Sequence, residues 1–154
     1  MGFATFRDEV KTTLEAVNGI GRVYDTMRLL THWEKFKQDA VKDGRVNIWE
    51  ITRLTMEEDL ETPQGQSGVE PCFRDLHLIG IIGHFSVDDK KKSEKVFQDL
   101  IDAIVAAFRV NNTLGAQTLI PAQAQVPSIG HEMFASVLCH AVQITFLARE
   151  RTGG

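Results

Sequence analysis

The residues of this chain that could do chemistry are five histidines, two cysteines and a run of carboxylates. His84 and His140 each stand among aliphatic residues, and Glu50 lies in a segment rich in β-branched and aromatic residues. Were these three to meet in a sheet, with Cys139 nearby, they could act as a small α+β enzyme's general base or as metal ligands, because a neutral imidazole accepts a proton and binds transition metals. The plainer reading carries more weight, since a lone histidine between aliphatic neighbours is more often packed and hydrogen bonded. His77 and His84 are seven residues apart, so on one strand they face opposite ways and cannot share a ligand. His131-Glu132 lacks the second histidine of a helical zinc motif and is expected in a turn. Gly19-Ile-Gly21 lacks the third glycine of a dinucleotide loop and the Gly-Lys-Ser/Thr of a phosphate loop. No serine occupies a nucleophile elbow, and no carboxylate pair stands out from the acidic stretch. The expectation is a chain with no catalytic residue, no cofactor and no metal.

The elements that would hold these residues are read from periodicity. Residues 73–85 carry apolar side chains at both parities, with Leu76, Leu78 and Ile82 on one face and Ile79, Ile81 and Phe85 on the other. Turn and cap residues follow at 86–89. Then Phe97, Leu100, Ile101, Ile104, Val105 and Phe108 trace the stripe of an amphipathic helix over 90–109. One helix covers one strand face, so the other face waits for a further helix or a second copy. Phe3, Phe6, Val10, Leu14 and Val17 predict a first helix over 3–17, closed by Asn18-Gly19. A helix over 26–41 is expected next, after a stretch at Val23 and Tyr24 that could be extended. Strands are expected over 46–54, 122–128 and 137–149, with an Asp-Gly turn before the first of them. The predicted fold is α+β: a four-stranded, mostly antiparallel sheet with helices on one face, in the order α-α-β-β-α-β-β.

Residues 55–71 are acidic, rich in Gly, Pro and Gln, and have little to bury, so they are expected to form a long loop between the first two strands. Glu57, Glu58, Asp59, Glu61 and Glu70 are its candidate partner contacts. Trp33, Trp49 and Tyr24 could stack, but a helical stripe and a strand are positions for core or subunit contact. Trp33, Trp49, Ile79 and Ile81 are the candidate subunit contacts.

With 154 residues, one domain spanning 1–154 is expected. A formal charge of −4 argues against nucleic acid as the main partner, and the cluster Lys90-Lys-Lys92 sits beside Asp88, Asp89 and Glu94 as a solvated helix end. No apolar run is long enough for a membrane span. The N-terminus lacks the pattern of a signal peptide, so a cytosolic chain with Cys72 and Cys139 as reduced thiols is expected.

Four short segments carry a resemblance: Gly19-Ile-Gly-Arg-Val-Tyr-Asp25, Trp33-Glu-Lys-Phe36, Asn47-Ile-Trp-Glu-Ile-Thr-Arg53 and Phe134-Ala-Ser-Val-Leu-Cys-His140. With the order of elements, they resemble the tail-terminator (tail completion) proteins of long-tailed bacteriophages. The resemblance implies a structural virion protein that forms a homo-hexameric ring, caps the tail tube, ends tail polymerisation and provides the head-joining interface. Its partners would be further copies of itself, the tail tube protein and a head-completion or connector protein; its place would be the neck end of the tail, after assembly in the host cytoplasm. The expected second helix departs from the smallest terminators. A head-tail connector or other neck protein is the alternative of the same kind.

Overall fold

The segment with apolar residues at both parities is a 14-residue strand, Phe73–Ser86, and the other elements are laid out about it. The computed structural model describes residues 3–26, 41–42, 45–60, 73–116, 118, 121–134 and 136–149. In chain order these form α1 (Phe3–Glu15), β1 (Arg22–Tyr24), β2 (Val41–Lys42), β3 (Arg45–Leu60), β4 (Phe73–Ser86), a 3-10 turn (Asp89–Lys91), α2 (Ser93–Val110), β5 (Gln125–Phe134) and β6 (Val137–Arg149). The sheet runs β1-β3-β4-β6-β5, and β2 pairs with the start of β3. Every pairing is antiparallel except β1 with β3, which is parallel.

The expected four-stranded, mostly antiparallel sheet is therefore corrected to a mixed sheet with five strands along its path and two helices among the described residues. The added strand is β1, whose three residues are too few to show an alternation. Of the expected helix over 26–41, residues 27–40 lie outside the described residues, and Val41 belongs to β2, paired with Val46. The strand expected over 46–54 continues to Leu60, so the first part of the expected loop is strand. Polar composition misled there because the β3–β4 hairpin extends beyond the end of β6, where Leu76 already pairs with Arg149, and an exposed hairpin has nothing it must bury. The strand expected over 122–128 is displaced to Gln125–Phe134. Pro127 falls in a bulge between Gln125 and Ser128, and Gly130 pairs with Ala141, so neither residue breaks the strand.

The helices lie on one face of the sheet. From α1, Phe6, Val10 and Leu14 are buried; from α2, Phe97, Leu100, Ile101, Ile104 and Phe108 are buried. They pack on Trp49 and Ile51 of β3, Ile79 and Ile81 of β4, and Val142, Ile144, Phe146 and Ala148 of β6. Trp49 occupies the middle of this layer. Its ring stacks on Phe97 at 6.2 Å, and its indole N–H donates to Asn47 Oδ1 at 2.8 Å. Asn47 Nδ2 in turn donates to the Gly19 carbonyl at 2.9 Å, which holds the turn after α1 against β3. Gly83 lies directly under the indole, and a Cβ there would stand 2.3 Å from Trp49 Cζ3.

At the far ends of the helices, Asn111 caps α2 and its Nδ2 donates to Thr13 Oγ1 at 2.9 Å, joining α2 to α1. The start of α2 lies three residues later than expected. Asp88 caps the 3-10 turn, Lys92 takes a left-handed conformation at φ 54°, and the α-helix begins only at Ser93.

The other sheet face carries Leu54, Leu76, Leu78, Ile82 and Leu147. A bulge between Arg53 and Thr55 lays Leu54 over Gly80 on this face. Leu54 and Leu147 are 38% and 44% exposed, and Leu76, Leu78 and Ile82 are partly buried.

Two substitutions test this packing. Ile104→Asp places a charge without a partner in the helix–sheet layer and should cost several kcal/mol, enough to unfold a domain of ordinary stability. Gly83→Ala overpacks the site beneath Trp49 and should cost roughly 1–3 kcal/mol. Thermal melts followed by circular dichroism read both; an Ile104→Asp protein with the wild-type midpoint would refute the packing described.

Candidate functional site

Where Arg45, Ser86 and Val137 bring three strand ends together, a second apolar cluster forms. Val46, Ile48 and Cys139 are buried in it, with Tyr24, Val41, Phe134 and Val137 packed around them. His84 belongs to the same corner. It lies opposite Ile48 and Ala141 in the sheet, its ring stacks on Phe134 at 4.3 Å, and its Nε2 meets the carboxylate of Glu132. Among the described residues, Nδ1 of the same ring is buried without a hydrogen-bond partner. Glu132 reaches this position because the β5–β6 hairpin turns tightly, with Ser136 at φ 63°, and sets Glu132 opposite Cys139.

Cys139 is a free, fully buried thiol that donates to the Val137 carbonyl at 3.5 Å. Burial, and after it the nearby Glu132 carboxylate, pushes its pKa up to about 11. At neutral pH it is a thiol and not a nucleophile. Cys72 lies outside the described residues.

His140 lies on the opposite face. Its neighbour in the sheet is Phe85, whereas His84 is opposite Ala141. The side chain of His140 stacks on Phe97 at 5.3 Å and contacts His131 with ring centroids 4.9 Å apart. Its Nε2 is 2.9 Å from Ser93 Oγ, and that oxygen accepts the Asp88 N–H at 2.7 Å. Ser93 Oγ is thus shared between the Asp88 N–H and the His140 ring, and the imidazole tautomer sets which of Ser93 and His140 donates. Burial, then His131, lowers the His140 pKa, against a smaller upward pull from Glu94 and Asp89. His140 thus ties the start of α2 to the sheet.

The set His84, His140 and Glu50 is accordingly divided by the sheet. His84 and the buried Glu50 share the open face, and His140 is under α2. His77, on the helix side as the odd spacing requires, packs edge-on against Phe6 at 5.5 Å. His131-Glu132 is in strand β5 and not in a turn. Among the described residues no group of three or more His, Cys, Asp or Glu side chains could hold a metal ion. Cavities of about 470 Å³ beside Ala103 and Val110 and about 310 Å³ beside Arg109 and Gln125 are not lined by His84, His140 or Glu50.

The candidate contact residues fare differently. Trp49, Ile79 and Ile81 are fully buried beneath the chain's own helices and offer no surface to another copy. Trp33, Glu61 and Glu70 lie outside the described residues. Glu57 and Glu58 are exposed on the protruding hairpin, and the backbone of Asp59 pairs with Arg74. Sequence reading missed Glu132, Phe134 and Ser93. The turn at 134–137, recognised as a hairpin, would have placed Glu132 opposite Cys139.

Comparison of the sequence with models of known families and with curated proteins finds no match. Among the described residues, no helix is long and apolar enough to cross a membrane.

The His140 contact generates a pH dependence. Its folded pKa lies below the unfolded value of about 6.5, so the unfolded chain binds the extra proton first. The stabilisation is complete above that value and falls as the pH drops from it through the lowered folded pKa. Urea melts between pH 7.5 and 5 should show this loss, and His140→Gln should flatten it. Ser93→Ala strands the Asp88 N–H and the imidazole, and should cost about 1–3 kcal/mol at pH 7.5.

Proposed function

We propose that this chain is a structural protein of phage tail assembly, a tail terminator that forms a hexameric ring on the end of the tail tube, stops its growth and presents the head-joining surface. The observation that carries the reading is where the resembling segments lie. Gly19–Asp25, Asn47–Arg53 and Phe134–His140 are far apart in sequence, yet Tyr24, Ile48, Phe134, Val137 and Cys139 form one cluster at one corner of the sheet. The first two segments are further joined by the Asn47 bond to Gly19 and by parallel pairing of β1 with β3. The likeness rests on these segments.

Two further features support an assembly role. The open sheet face keeps Leu54 and Leu147 partly exposed, the kind of apolar surface that a further subunit covers. The β3–β4 hairpin carries the exposed carboxylates of Glu57, level with the end of β6, and Glu58, one row beyond it, where they can reach a tube or connector subunit. The chain would act at the neck end of the virion tail after assembly in the host cytoplasm. A connector or other neck protein shares these properties and differs in meeting the portal side.

The test is electron microscopy of tails assembled with purified protein. Six copies per tail at the head-proximal end, and tails of uniform length, are expected; one or two copies per tail would overturn the ring. Replacing Glu57, Glu58, Glu61 and Glu70 by Gln and Asp59 by Asn addresses the contact. Glu57 and Glu58 are exposed, so each of these two should change stability by no more than about 0.5 kcal/mol. The five-fold variant should still fold but leave tails overgrown and unjoined. Normal capping by it would move the contact away from the acidic residues.

A further inference from the structure

β5 is the last strand on its side of the sheet, and among the described residues nothing pairs with its outer edge. Its first part is blunted by Pro127 and by the bulge between Gln125 and Ser128. Beyond the bulge, residues 128–134 run in unbroken register with β6 from Ser128↔Gln143 to Phe134↔Val137. Among the described residues, this edge presents unpaired backbone donors and acceptors, a template for another strand. Its side chains are also unusual. On the face shared with Val142 and His140, Ile129 is 47% and Met133 65% exposed, with exposed His131 between them. The pattern Ile-x-His-x-Met is symmetric in character about His131.

We propose that two copies of this chain pair through this edge, β5 against β5, antiparallel and centred on His131. In that register each Ile129 stands opposite Met133 of the partner subunit, so two apolar cross-strand pairs flank the axis. On the other face Gly130 comes opposite Glu132 of the partner subunit, so no carboxylate faces another. The symmetric pattern is what selects a second copy over a foreign strand. In a twofold contact each residue meets its own mate's counterpart, and a palindromic order of apolar residues satisfies both halves at once. One strand pair buries less than a standard interface of about 1,200–2,000 Å², so the dimer dissociates on dilution. The inference does not depend on the ring: a ring joins unlike patches head to tail, whereas this contact joins like to like.

Sedimentation velocity over a wide concentration range tests it, with two double variants at these exposed positions and circular dichroism melts to confirm their fold. The wild type should show a monomer–dimer equilibrium. Ile129→Glu with Met133→Glu sets carboxylates opposite each other in both halves and should weaken association about tenfold or more. Ile129→Lys with Met133→Glu sets lysine opposite glutamate twice and should restore association relative to the first variant. A wild type that stays monomeric at the highest concentration overturns the proposal, as do double variants that associate equally. Six-membered rings indifferent to both variants would overturn it too, while leaving the ring reading intact.

Discussion

The contact on which most of this structure depends is an indole laid across a glycine. Trp49 can lie flat on the sheet only because Gly83, opposite it on β4, has no side chain, and the ring then becomes the floor on which Phe97 stacks. The indole N–H, buried as it is, must find an acceptor, and Asn47 supplies one two residues earlier on the same strand. By donating its own amide to Gly19, Asn47 carries the constraint to the turn after α1. A volume match, a buried donor and a backbone carbonyl thus position both helices and the parallel strand β1. Gly21 repeats the device, since a Cβ there would stand 2.0 Å from the Asn47 carbonyl oxygen.

The parts of the fold governed by periodicity were legible in the sequence. The stripe Phe97, Leu100, Ile101, Ile104, Phe108 and the strand Val137–Arg149 lie where their spacing puts them, and the faces of β4 divide as their parity requires. What periodicity could not show was structure without a burial requirement. The end of β3, from Thr55 onward, is strand because β4 pairs with it and not because its residues prefer a buried face. The strand expected over 122–128 lies instead at Gln125–Phe134, a shift that shows only once the bulge before Ser128 and the pairing of Gly130 with Ala141 are known. Both errors have one origin: a strand's existence is a property of its neighbour, and a neighbour distant in sequence leaves no local mark.

The candidate site shows the same limit more sharply. By parity His84 shares the face of Leu76, Leu78 and Ile82, and His140 that of Val142, Ile144 and Phe146. Whether those two faces were one face depended on the register of β4 against β6, and that register places His140 beside Phe85. The sheet therefore separates two buried imidazoles with different tasks. His84 engages a carboxylate from the edge hairpin, and His140 shares a hydrogen bond with the serine that opens α2. Neither Glu132 nor Ser93 carries a motif that would have announced it.

The parallel pairing of β1 has a consequence for how the chain comes into being. During synthesis α1 and β1 emerge before the surfaces that receive them, which belong to β3, β4 and α2, and Phe108 is made some ninety residues after Leu14. At ribosomal rates of about 5–20 residues per second, the face of Phe6, Val10 and Leu14 is without its cover for roughly 5–20 seconds. The β3–β4 and β5–β6 hairpins, by contrast, have partners close in sequence and can form as they appear. Of the elements in this core, α1 is thus the one whose apolar face waits longest for the residues that cover it.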